Sequence, residues 1–115
     1  MNFPEFDKFQ RDLLAEVVKM RDTKGKEYAN DSDRFANFRR LAASLDLKDY
    51  QVAWIYCVKH LDSLASFMKN GETFSNETIR GRFVDAITYL TLIAGMIDEK
   101  TGGHNYVAGG RRNWP

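Results

Sequence analysis

One cysteine, Cys57, and two histidines are the whole supply of thiolate and imidazole ligands in this 115-residue chain. A lone cysteine cannot pair within the chain, and with two histidines it cannot complete a zinc site of the cysteine and histidine type. Disulfide scaffolds and zinc fingers are thereby excluded. Charge of one sign is also scarce, since 17 Lys plus Arg against 16 Asp plus Glu leave a formal net charge of +1. A general binder of duplex DNA needs a strong basic excess. The longest uncharged stretch, Ala86 to Ile97, has 12 residues, and a membrane-spanning helix needs about 20. Met1 to Asp7 mix acids with aromatics and show no basic region ahead of an apolar run, so no signal peptide is expected and the protein is read as cytoplasmic. No glycine-rich phosphate loop and no nucleophile elbow occur, because Gly102-Gly103 and Gly109-Gly110 follow no predicted strand and open no predicted helix.

What is present is helical periodicity. The chain is 43% hydrophobic and 13% aromatic, which excludes disorder for most of its length. A single domain of this size buries roughly two-thirds of the surface its unfolded chain exposes. Phe6, Phe9, Leu13, Val17 and Met20 recur at spacings of three and four and predict a buried stripe on a helix from about Pro4 to Tyr28. Phe35, Phe38, Leu41 and Leu45 mark a second helix, Arg34 to Leu45, and Asp46 is expected to cap the next. The third, Leu47 to Lys69, carries the strongest signal: Tyr50, Trp54, Cys57, Leu61, Leu64 and Met68, flanked by Ala53, Tyr56, His60, Ser63 and Phe67. Asn70-Gly71 ends it. The fourth runs from Glu77 to Lys100, capped by Ser75 or Asn76, with Glu77 in its first turn and Ile79, Phe83, Ala86, Leu90, Ile93 and Ile97 as its stripe.

No alternating run long enough for a sheet interrupts this pattern. The fold class is therefore all-α, an antiparallel bundle of about four helices in residues 1–100 with the Trp54 and Leu61 stripe facing Phe83 and Leu90. The uncharged belt from Ala86 to Ile97 calls for protein on every side and predicts a homo-oligomer. Residues 101–115, rich in glycine and arginine, read either as a mobile tail or as an arm that docks on a neighbouring subunit or closes over a ligand.

Candidate chemistry lies on the helices. Glu77, Gly81, Asp85 and Tyr89 are successive fourth residues, placing two carboxylates and a phenol on one face. Such a face can hydrogen-bond a ligand or hold a hard cation, or Glu77 can simply serve the helix terminus while Asp85 pairs with Arg82 or a basic residue on another helix. Residues 19–40 hold seven basic side chains, among them Lys24, Lys26 and Arg39, against four acidic ones. Interleaved with Tyr28, Phe35 and Phe38, these suit phosphate and base, or else a solvated charged surface over an aromatic core. His60 is either a hydrogen-bonded structural residue or a donor to a ligand. Cys57 reads as core.

The order of Lys24-Gly25-Lys26-Glu27-Tyr28, Asp33-Arg34-Phe35-Ala36-Asn37-Phe38, Trp54-Ile55-Tyr56, Lys59-His60-Leu61 and Glu77 through Gly81-Arg82 to Asp85-Ala86-Ile87-Thr88-Tyr89-Leu90 resembles small bacteriophage proteins of the nucleotide-modification-associated domain 1 group. More distantly it is similar to the MazG-like all-α nucleotide pyrophosphatases. The resemblance covers roughly residues 20–97 and implies an oligomerising helical bundle whose ligands are nucleotides. It also implies departures. The Glu-x-x-Glu and Glu-x-x-Asp pairs with which such pyrophosphatases hold magnesium are absent from this chain, and Gly81 stands where the nearer group carries an acid.

The expected function is therefore a nucleotide-binding protein without turnover, which in a phage would sequester a host immune nucleotide signal. Its ligand-binding residues would be Lys24, Lys26, Tyr28, Phe38, Arg39, Tyr56, His60, Arg82, Asp85 and Tyr89, with no metal. Two alternatives stand beside it: a magnesium-dependent pyrophosphatase with a cage from Asp62, Glu77 and Asp85, helped by Glu72, and a helical module that binds a host protein.

Overall fold

The computed structural model describes residues 1–28, 33–72, 76–103, 106, 107, 109 and 114, and along 21–28 the helical backbone alone. Four helices account for the described order: α1 (Phe3–Tyr28), α2 (Ala36–Leu45), α3 (Asp49–Asn70) and α4 (Ile79–Thr101). No strand occurs among the described residues.

Local chemistry sets the helix ends. The Asn2 side chain accepts the Glu5 N–H at 2.9 Å and opens α1, satisfying a donor that has no partner inside the helix. Asp46 closes α2 rather than capping α3: it adopts a left-handed conformation with φ 54°, one that Asp tolerates better than most residues. Lys48 then opens α3, and Gln51 reaches back to accept the Lys48 N–H at 2.9 Å. Gly71 and Gly102 stop α3 and α4 at φ 74° and 83°, where a Cβ would be strained. Thr78 caps α4, its hydroxyl accepting the Gly81 N–H at 3.0 Å. Glu77 accordingly stands just ahead of the helix and not in its first turn. Asn76 lies further ahead still, and Ser75 falls outside the described residues.

Helices α3 and α4 run antiparallel, since Asp49 meets Lys100, Tyr56 meets Tyr89 and His60 lies beside Asp85. Helix α2 packs on α3, and α1 on α4. The core joins Phe38 and Ala42 of α2, Tyr50, Val52 and Ala53 of α3, and Met96 of α4. Phe35, beside this core, lies over Gly95, where an added methyl would stand 3.2 Å from its Cζ.

The buried face of α3 is turned from the expected one. Ala53 and Cys57 are fully buried, while Trp54 is exposed and Leu61 only partly covered. Small side chains let two helices approach closely, so Ala53 and Cys57 take the inner line, Ala53 in one cluster with Met96 of α4, and the indole is displaced outward. On α4 the same rotation buries Arg82, Asp85, Ala86 and Met96, and leaves Leu90 exposed. The α1 stripe is likewise covered only in part. Val17 is buried and Leu13 and Met20 partly so, but Phe6 and Phe9 are exposed and Phe3 is 90% exposed. Helix α4 meets α1 through Arg80, which pairs with Glu16 at 2.7 Å and lies 5.3 Å from the Phe9 ring.

Of the C-terminal segment, Trp114 packs edge-on against Tyr50 of the same chain, ring centroids 5.3 Å apart. No described helix is long and apolar enough to cross a membrane.

Candidate functional site

Two helix faces converge where the middle of α3 meets the first half of α4. On α3, Tyr56 and His60 are four residues apart and share a face. On α4, Arg82, Asp85 and Tyr89 do so at spacings of three and four. The Tyr89 ring stacks against Tyr56, with centroids 6.1 Å apart and planes inclined 14°, and against His60, 5.3 Å and 25°. Phe38 of α2 closes the group edge-on, 6.3 Å from both Tyr56 and Tyr89. Tyr56 presents its ring to solvent at the rim.

Beneath the rings lies charge. Arg82 places Nη1 3.3 Å from His60 Nδ1 and Nε 3.4 Å from Glu77 Oε2, and His60 Nδ1 is 3.8 Å from Asp85 Oδ2. A guanidinium can only donate, so His60 Nδ1 must be the acceptor and the proton of the neutral ring sits on Nε2. Burial pushes the His60 pKa below its ordinary value; Asp85 and Glu77 oppose this, whereas Arg82 and Lys59 reinforce it. The imidazole is therefore neutral at physiological pH. Arg82 and Asp85 are both buried, an arrangement that is costly unless each charge is compensated. The side chain of Arg82 is 10% exposed and that of its partner Glu77 56%.

Six of the ten expected ligand-binding residues thus meet here: Phe38, Tyr56, His60, Arg82, Asp85 and Tyr89. Arg39 does not join them. It pairs with Asp33 at 2.7 Å, Glu99 at 2.5 Å and the buried Asp49 at 3.5 Å, and lies 5.6 Å from the Phe35 ring. Desolvation works against its charge, but the three carboxylates outweigh that effect and raise its pKa. Lys24, Lys26 and Tyr28 belong to the last turns of α1, and their side chains lie outside the described residues.

The carboxylate cage is not assembled either. Among the described residues no three of His, Cys, Asp and Glu come together in a metal-holding group, so the exposed Asp62 does not complete a site with Glu77 and Asp85. The face expected through Gly81 is also replaced. Gly81 occupies the capping turn, where an added Cβ would stand 3.1 Å from Thr78 Oγ1, and Arg82 supplies the polar group instead. A second ionic feature, Asp49 held between Lys100 at 3.0 Å and Arg39, carried no sequence signal because its members lie about fifty and ten residues apart. Cys57 is fully buried, and burial raises its thiol pKa, which leaves it inert as a nucleophile.

No protein-family model, curated protein or solved structure matches the chain.

Proposed function

We propose that this protein binds a phosphorylated nucleotide and holds it without turnover. The observation that carries the reading is the Tyr56, Tyr89 and His60 stack set directly against a buried Arg82 and Asp85. The half-exposed Tyr56 ring offers a face on which a base stacks, a contact worth about 1 to 3 kcal/mol per base. Arg82 supplies the charge-assisted donor for an anionic group. Neutral His60 offers Nε2–H, and Asp85 accepts from the donors of a base or sugar.

The resemblance to phage proteins adds the setting: a MazG-like bundle, self-associating, that sequesters a host nucleotide signal as an anti-defence measure in the host cytoplasm. The exposed apolar side chains Trp54, Ile55 and Leu90 support self-association.

Mass spectrometry of material released from heat-denatured protein, with calorimetry across a nucleotide panel in EDTA, tests the reading. Intact bound nucleotide, or binding indifferent to chelator, is expected. Replacing Tyr56 with leucine should weaken that binding roughly tenfold, within the range of one lost stacking contact. Magnesium-dependent phosphate release would instead establish a pyrophosphatase, and the absence of both would leave a protein-binding module. A wild-type monomer in light scattering would remove the oligomer from the proposal.

A further inference from the structure

Helix α1 carries more apolar surface than its own chain covers. At about 100° per residue, its apolar side chains from Met20 through Leu13 and Val17 to Phe3, Leu14 and Val18 span nearly half of the helix circumference. Packing against α4 takes up one side of that arc, where Val17 is buried and Leu13 and Met20 partly so. On the other side Phe3 is 90% exposed and Leu14 and Val18 are 46% exposed. The whole molecule shows the same surplus. This 13.3 kDa chain exposes 8636 Å², against about 6,450 Å² for a folded monomer of that mass. Its radius of gyration is 16.2 Å, where a compact domain of this length has about 13 Å. A standard protein interface, at about 800 Å² per partner, accounts for less than half of the excess area.

We infer that the uncovered side of α1 is an interface for a second copy of this chain, α1 against α1 about a two-fold axis. The inference rests on the self-association proposed above and gives it a definite surface. Identical patches meet in such a pair, so Phe3, Leu14 and Val18 of each copy are covered by the same patch on the other. Acids and bases are mixed along the helix, as at Lys8, Arg11, Asp12 and Glu16, so two copies meet without repulsion of one sign. An anionic membrane, which selects helices rich in Lys and Arg, is the poorer occupant. The surface also leaves the candidate site open. Arg80, which meets Glu16 and Phe9 of α1, stands nine residues before Tyr89 and half a turn out of phase with it. Helix α1 and the stacked rings therefore lie on opposite sides of α4. Trp54 and Ile55 are exposed as well, but they adjoin Tyr56, and a pair formed there would cover the rim on which a base stacks.

Light scattering and sedimentation of the full chain, from micromolar to submillimolar concentration, test this. Wild type should have the mass of two chains or an even multiple of it. Leu14→Glu combined with Val18→Glu, at positions exposed in the single chain, should keep the helical circular dichroism and raise the dissociation constant at least about a hundredfold, because it buries unpaired charge in both halves of the pair. Leu14→Ala combined with Val18→Ala should weaken the pair about tenfold through lost apolar contact, and alanine favours the helix, so this loss cannot come from unfolding. Ile55→Glu should leave the pair intact. A wild-type mass of one chain overturns the inference and the self-association beneath it, and an odd multiple overturns the two-fold pairing. A pair that persists undiminished in both α1 variants, or that Ile55→Glu alone dissociates, overturns the α1 surface and leaves self-association standing. None of these outcomes bears on nucleotide binding, which belongs to the other side of α4.

Discussion

Two arginines organise the polar structure of this protein, and they are built to opposite specifications. Arg39 is half-exposed and surrounded by Asp33, Asp49 and Glu99, three carboxylates from the segment before α2, the start of α3 and the end of α4. Its role is to fasten those three elements, and the surplus of acid leaves no demand for a further anion. Arg82 is buried, with the Glu77 carboxylate 3.4 Å from its Nε and the His60 ring 3.3 Å from its Nη1. A saturated arginine at the surface stabilises the fold. A buried one, set beside stacked aromatic rings at the candidate site, stands in a different environment. Both residues are plain arginines on helices in the sequence, and only their surroundings separate them.

Replacing each arginine with methionine should break this contrast open. Arg82→Met removes the buried guanidinium that contacts His60 and Glu77, withdraws a positive charge from a cluster in which Asp85 stays buried, and is expected to cost about 3 kcal/mol in urea denaturation, the scale of an unbalanced buried charge. Combining Arg82→Met with Asp85→Leu should recover much of that loss, since removing both charges removes the desolvation penalty. Arg39→Met should cost only about 1 kcal/mol, because Lys100 still holds Asp49 at 3.0 Å. Its effect should shrink further in high salt, whereas that of Arg82→Met should not.

The smallest expected effect is a pH dependence confined to the Arg82 cluster. The folded pKa of His60 lies below its unfolded value. The unfolded chain therefore takes up a proton first as pH falls. The His60 contribution is fully present above about pH 6.5 and declines as pH drops from there to the lower folded value. His60→Gln should flatten that part of the curve of melting temperature against pH. Asp85→Asn should widen the window downward, because it removes the carboxylate that most opposes the shift.

Helix number and extent were legible in the sequence to within two residues at nearly every end, because glycines, polar caps and three-four spacing act locally. What escaped was rotation about the helix axis. Trp54 and Ala53 lie on the same broad apolar arc of α3, and the spacing of residues cannot tell which of them faces α4. The choice falls to packing, in which Ala53 joins the core with Met96 and the indole stays outside. For the same reason Arg82 and Asp85, flanking an apolar stripe on paper, end up inside. Within the candidate site, Phe38, Tyr56, His60, Arg82, Asp85 and Tyr89 could be named beforehand from residue type and spacing. Glu77 was recognised as an acid near the helix start, but its pairing with Arg82 across the cap was not. The commitment of Arg39 to Asp33, Asp49 and Glu99 was invisible, since it joins side chains up to sixty positions apart.

The seat of Phe35 over Gly95 has a mechanical consequence. The Cζ edge of the ring meets the α4 backbone, while the Arg39 guanidinium lies over its face, 5.6 Å from the centroid. A methyl at position 95 would stand 3.2 Å from Cζ, so the residue that opens α2 would have to give by a few tenths of an ångström. The missing side chain on one helix is what lets an aromatic ring at the head of another come so near its backbone.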